Sequence, residues 1–140
     1  MGEIELIARG LAYRDGRILL AHKKGEMNTF LPGGHVIYGE STINALIREF
    51  KEEMGAGVEI GEFIGALEHK YVGREEDEHH ELNLIFGVDF NGEAVSRESH
   101  LEFSWVRVEK LADAVLLPEV LSTMIELWLS DHRAVYYSSG

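Results

Sequence analysis

The sequence predicts one mixed α/β domain, and three features carry the prediction. Apolar, strand-like runs alternate with two stretches of helical periodicity. Turn signals built on Gly, Asp and Pro separate them. No repeat, linker or low-complexity segment interrupts the 140 residues. A single domain spanning 1–140 is therefore expected, long enough to bury a real core.

The elements follow in order. Ile4 to Tyr13 is apolar and strand-like, and "RDGR" at Arg14 to Arg17 is an Asp-Gly turn leading into "ILLAHKK", so a hairpin is predicted. "HKKGEMNT" reads as a loop, and "FLPGGHV" as a short extended segment broken by Pro32, Gly33 and Gly34. A helix is predicted from Ser41 to Met54, with Ser41 or Thr42 as its cap and Gly55 just past its end. Its expected buried stripe is Ile43, Leu46, Ile47, Phe50 and Met54. "VEIGEFIGALEHKYV" and "HELNLIFGVDF" read as strands, the second placing Leu82, Leu84, Phe86, Val88 and Phe90 on one side. The loops "GREEDEH" and "NGEAVSRESH" come next to these strands, and "LEFSWVRV" is a further strand. "PEVLSTMIELWLSD" is a second amphipathic helix opened by a Pro, while the tail "HRAVYYSSG" carries no clear signal.

Composition narrows the function. Apolar residues at 45% and charged residues at 27% are ordinary for a soluble globular protein. The absence of cysteine excludes disulfides and thiolate chemistry. No charged-then-apolar segment opens the chain, and no apolar run approaches the roughly 20 residues that span a bilayer, so no membrane association and a cytoplasmic address are expected. The net charge of −12 argues against long nucleic acid, whose backbone is held by clustered Lys and Arg. An anionic small molecule remains compatible if a cation bridges it to the protein.

Such a bridge is written into the first helix. Glu49, Glu52 and Glu53 lie within one turn, beside the apolar stripe rather than opposite it. Carboxylates crowded in this way repel and raise one another's pKa unless a cation intervenes. Mg²⁺ and Mn²⁺ favour oxygen ligands, and Mg²⁺ is commonly held by one or two carboxylates together with substrate phosphates. Metal ions of this kind neutralise the charge that develops in phosphoryl chemistry and acidify bound water.

The segment from Gly34 to Ala56 resembles the Nudix box, G-x5-E-x7-R-E-U-x-E-E-x-G-U, where U is a bulky aliphatic residue. Gly34, Glu40, Arg48, Glu49, Glu52, Glu53 and Gly55 fill every fixed position, and Phe50 and Ala56 depart mildly at the two U positions. The resemblance implies the Nudix α/β/α sandwich, with a mixed β-sheet between helices, and a MutT-like hydrolase. It implies that Glu49, Glu52 and Glu53 bind Mg²⁺ or Mn²⁺, that the Gly33 carbonyl adds a backbone ligand, and that Gly34, Glu40, Arg48 and Gly55 support the site. Water would attack one phosphorus of a nucleoside di- or triphosphate, or of a nucleoside diphosphate linked to another group. Members differ in their general base, either a Glu of the box or a Glu on a later loop. Here Glu98 occupies that later loop and is ranked first, with Glu102 close behind and Glu49 as the alternative within the box. Lys23 and Lys24 are candidate phosphate contacts, and Phe30, Tyr71 and Trp105 are candidate base-stacking residues, against ordinary surface and core roles.

Other family signals are partial. The region after the box lacks the Pro that accompanies many ADP-ribose hydrolases, and Tyr71 lies near the Tyr of many dinucleoside polyphosphate hydrolases. The isoprenoid isomerase branch needs a Cys that this chain lacks. "EEDEHH" at Glu75 to His80 reads first as a solvated loop tip, with a second metal site as the alternative. His22 and His35 are expected to serve packing or hydrogen bonding. A homodimer is expected from the habits of small family members. The competing functional readings are a nucleotide-sensing module on the same fold and a purely structural acidic domain.

Overall fold

The computed structural model describes residues 2–139. Strand β1 (Ile4–Arg14) turns at Asp15 and Gly16 into β2 (Arg17–Lys23), with Tyr13 opposite Ile18 and Arg14 opposite Arg17. Both turn residues have positive φ, as a two-residue hairpin of this hand requires. A short β3 (Gly33–His35) precedes helix α1 (Thr42–Met54). Two long antiparallel strands follow, β4 (Glu59–Val72) and β5 (Glu78–Asp89), and then β6 (Leu101–Arg107). A 3₁₀ turn (Val108–Lys110) leads towards α2 (Val120–Asp131), and β7 (Val135–Ser139) ends the described chain.

The strands form one mixed sheet in the order β6-β2-β1-β5-β4-β7, with β3 added to β1. β1 runs parallel to β5 and β7 parallel to β4, while the other pairs are antiparallel. The two faces of the sheet carry separate cores. Ala8, Ala12, Leu19, Val88 and Phe90 pack with Leu46, Phe50 and Met54 of α1. Leu11, Ile18, Leu20, Leu67 and Ile85 pack with Leu121, Met124 and Ile125 of α2. This is the expected sandwich.

The period-2 pattern of β1 explains the asymmetry of the layers. Ala8, Gly10 and Ala12 face α1, and a Cβ at Gly10 would meet the Phe50 ring at 2.7 Å. Small residues on that face let the helix lie close to the sheet. The bulkier Ile7, Arg9 and Leu11 occupy the other face.

Several boundaries differ from the sequence reading. Ile43 and Ile47 are 45% and 36% exposed and do not belong to the buried stripe. Ala45, Leu46, Phe50, Glu53 and Met54 are the buried residues of α1, because the helix is rotated so that Glu53 turns under it. β5 is covered on both faces, so Ile85 and Asn83 are buried as well as Val88. Leu82 and Leu84 are only half-buried. α2 starts at Val120, two residues beyond the Pro, and the Pro118 carbonyl accepts from the Leu121 N–H at 2.9 Å. The tail is a sheet strand, with Val135 to Ser139 paired in parallel to Gly65 to His69.

Candidate active site

The local chemistry of α1 fixes its start and its end. Ser41 accepts from the Asn44 N–H at 3.0 Å, and Gly55 closes the helix in the left-handed conformation at φ 67°. The loop ahead of it is held by Arg48. Its guanidinium grips Glu40 through two bonds of 2.8 and 3.0 Å and donates to the His35 carbonyl at 3.0 Å. The same group reaches Glu49 at 2.9 Å and Glu52 at 3.3 Å. Glu40 also accepts from the Ile37 N–H at 3.1 Å, and these bonds hold its carboxyl below the usual range. Arg48 thus fastens β3, the connecting loop and the acidic face of α1 together.

The three glutamates of α1 have different surroundings. Glu52 is half-exposed beside Arg48. Glu49 lies against Gly34, where a Cβ would meet its carboxyl carbon at 2.5 Å. A side chain at position 34 would push that carboxylate from the place where Arg48 holds it. Glu53 is buried, and its Oε2 has no hydrogen-bond partner. Burial and the neighbouring Glu49 push the Glu53 carboxyl up to about 8, with Glu98 adding to the rise. Arg9 and a backbone hydrogen bond with Gly33 act in the opposite direction.

Glu98 arrives from the loop between β5 and β6. The Arg97 N–H donates to the Glu53 carbonyl at 2.7 Å, which docks the loop on the end of α1. The Ser96 hydroxyl and the Glu98 backbone bond to each other in both directions, at 2.8 and 3.2 Å, and fix the turn. The Glu98 carboxylate then shares the electrostatic field of Glu53.

These groups open onto a cleft of about 990 Å³, lined on one side by Gly33, Gly34, Glu49, Glu53 and Glu98. Lys23, Phe30, His69, Tyr71 and His100 line it too, together with Leu117 to Leu121 ahead of and within the first turn of α2. Of the residues singled out from the sequence, Lys23, Phe30 and Tyr71 therefore face the cleft. Lys24, Glu52, Arg48 and Glu102 are not among its lining residues. Glu102 stands across from His22 on the β2–β6 pair, 3.7 Å away. Trp105 stacks with Phe90 beneath Arg14 and belongs to the α1 core rather than to the cleft.

Several polar cleft residues escaped sequence reasoning, Arg9 and Asn83 among them. Arg9 donates to the Leu31 carbonyl at 3.1 Å and to Asn83 at 3.4 Å, and its guanidinium lies 5.7 Å from the Phe30 ring centroid. Burial lowers the Arg9 pKa, while Glu81, Glu53 and Glu49 oppose that shift. Asn83 is 5% exposed within β5. A polar residue at an inward position of an otherwise apolar strand was the available signal.

The Gly33 N–H donates to the Glu53 carboxylate, and the carboxylate oxygens of Glu49, Glu53 and Glu98 on this side of the cleft are of the kind that hard divalent cations such as Mg²⁺ and Mn²⁺ favour. Glu53 Oε2, buried and unpartnered, fits a place for such an ion.

The family follows from comparison with known proteins. Residues 6–126 match the NUDIX domain model, and the chain belongs to that family, which cleaves pyrophosphate bonds of nucleotides. Among its relatives, the CTP pyrophosphohydrolase of Escherichia coli (strain K12) is 30% identical over 122 residues, covering 84% of this chain and 86% of that protein. The crystal structure of a MutT NUDIX hydrolase from Burkholderia pseudomallei is 26% identical with a TM-score of 0.67, covering 77% of this chain and 86% of the other. The MutT protein of Methanosarcina mazei Go1 shares the fold at a TM-score of 0.75 and 22% identity, covering 93% and 96% of the two chains.

Proposed function

We propose that this protein is a Mg²⁺- or Mn²⁺-dependent pyrophosphohydrolase of a small nucleotide, cleaving by attack of water on phosphorus. The observation that carries the reading is the buried, unpartnered Glu53 oxygen beside Glu49 and Glu98. Without an ion the carboxyl stays protonated up to about pH 8, and a divalent cation bound beside it would favour its ionised form.

In this reading Glu49 and Glu53, which face the cleft, would hold the ion with the Gly33 carbonyl, and Glu52, beside Arg48 and outside the cleft lining, would turn in to join them. The ion supplies charge neutralisation at the phosphates and acidifies water. Glu98 takes the proton from the attacking water, Arg48 and Glu40 keep the glutamates in place, and Lys23 faces the phosphates from the opposite strand. Arg9 limits the negative charge of the cleft. The substrate is a nucleoside di- or triphosphate, or a nucleoside diphosphate carrying another group. The CTP pyrophosphohydrolase relative puts pyrimidine nucleoside triphosphates at the head of the panel. A homodimer acting in the cytoplasm completes the proposal, and light scattering at working concentration tests the dimer.

The test is a hydrolysis screen over nucleoside di- and triphosphates, dinucleotides, ADP-ribose and nucleotide sugars with Mg²⁺ and with Mn²⁺, products being separated by chromatography. One strongly preferred substrate is expected, with turnover reduced by orders of magnitude in Glu53→Gln. Saturable nucleotide binding without product in either metal would replace this reading with a sensing module.

A further inference from the structure

The parallel pairing of β1 and β5 sets Glu5 directly opposite Glu81. Like charges facing each other across a strand pair are unfavourable unless positive charge stands beside them, and without an ion His79 and His35 supply it at Glu5. His79, two residues along β5, projects from the same face and brings Nδ1 to 3.0 Å from Glu5 Oε2. One donor atom from each of Glu5, His79 and Glu81 lies within 4.8 Å of the others. Two donors sharing one small divalent ion at 2.0–2.2 Å stand roughly 3.3 Å apart, so the widest pair closes by no more than about 1.5 Å on binding.

Each of the three side chains is braced from outside by a different residue. His79 Nε2 bonds to Asp77 at 2.5 Å and Nδ1 bonds to Glu5 at 3.0 Å, so ligation through Nδ1 would replace the Glu5 hydrogen bond and release the proton shared there. Tyr71 donates its hydroxyl to Glu81 at 2.7 Å, and its ring is stacked between those of His69 and His79. His35 Nε2 bonds to the second oxygen of Glu5 at 2.8 Å. A carboxylate behind a ligating histidine, and hydrogen bonds behind ligating carboxylates, are the supports that orient a metal site. Glu81, Tyr71 and His35 also line the 990 Å³ cleft, so a position left open on the ion would face it.

We propose that Glu5, His79 and Glu81 bind one divalent transition-metal cation of the zinc class at the rim of the cleft, separately from the glutamates of α1. An imidazole with two carboxylates suits Zn²⁺ and its neighbours in the first row, whereas the all-oxygen set around Glu53 suits Mg²⁺. Arg9 interacts with Glu81 of this set and with Glu53 and Glu49 of the other, and so offsets part of the negative charge of both.

The test needs no activity and stands apart from the hydrolase reading. The full chain is stripped with chelator and titrated with Zn²⁺ alone by calorimetry at neutral pH, and circular dichroism verifies each variant's fold. One zinc site is expected that persists in Glu53→Gln and is lost in His79→Gln. Asp77→Asn, an exposed and conservative change, should weaken zinc about 10- to 100-fold. This variant decides the matter if His79→Gln fails to fold. No zinc binding by the wild type, or zinc binding that survives both rim changes and disappears in Glu53→Gln, would overturn the proposal.

Discussion

Glu53 is the residue at which sequence and structure say most about one another. Its box position marks it as a carboxylate with a partner, and its burial shows what the absence of that partner costs. Because its carboxyl is pushed up to about 8, ionisation opposes folding, and metal-free stability should fall as pH rises from the ordinary Glu range through 8. Glu53→Gln removes that opposition. In chelator it should melt higher than wild type, with a gap that widens with pH to the order of a few kcal/mol near pH 9. Thermal melts at several pH values check this, and a constant gap would contradict it. The same variant should lose most of its turnover, so stability and activity move in opposite directions. Glu98→Gln should lower turnover about 10²- to 10⁴-fold while Mg²⁺ affinity stays within a few-fold, as expected of a base. Parallel losses of both, read by kinetics and calorimetry, would make Glu98 a ligand, and unchanged activity would move the base to Glu49.

At the scale of elements, the geometry of the site depends on how α1 and the strands around it are fastened. Arg48 holds Glu40, the His35 carbonyl and Glu49 at once, which needs the planar fork of a guanidinium. Arg48→Lys keeps the charge but not the fork. It should destabilise the fold by about 1–2 kcal/mol in denaturant melts, and should weaken Mg²⁺ affinity as well. At the far edge of the sheet, Glu68 accepts from Tyr136 at 2.8 Å and Ser138 at 3.0 Å and meets His80 at 2.6 Å, tying β7 to β4. These bonds pull the Glu68 carboxyl down to about 2. Its contribution is present above the usual Glu pKa of 4.5 and is lost as pH falls from there towards 2. Amide protection in residues 135–139, corrected for the intrinsic exchange rate at each pH, should therefore fall over that acidic range before the central strands respond. In Glu68→Gln that protection should be lower already at neutral pH and should not fall further over the same range.

At the scale of the whole molecule, a net charge of −12 means that metal binding and stability are coupled. Mg²⁺ should raise the melting temperature of the chelated protein more than NaCl at equal ionic strength, because screening acts on the surface whereas binding relieves the buried cluster. The excess should disappear in a Glu49→Gln, Glu53→Gln double variant, as differential scanning calorimetry would show. An equal response to both salts would mean that diffuse repulsion alone is being screened. The repulsive surface also bears on partners: the cleft sets Glu49, Glu53, Glu81 and Glu98 against Arg9 and Lys23, so added divalent cation should ease the entry of a polyanion.

Much of this was legible in the sequence because it is local. The Asp-Gly hairpin, the Ser41 and Gly55 caps, and the helical spacing of Glu49, Glu52 and Glu53 depend on residues a few positions apart, and backbone sterics decide them. The sequence also determined the family, since the whole Nudix box lies in one continuous segment. What it could not decide was which side of each element faces inward. The rotation of α1 that exposes Ile43 and Ile47 and buries Glu53 is set by the sheet packed beneath it. The strand formed by the tail exists because β4 offers it an edge, as "HRAVYYSSG" has little pattern of its own. Arg9, Asn83 and the trio of Glu5, His79 and Glu81 are separated by about seventy positions and meet only through the register of β1 with β5. Local chemistry wrote the helix and its carboxylates; the long-range pairing of strands chose their companions, because only the folded sheet fixes distances between residues so far apart in the chain.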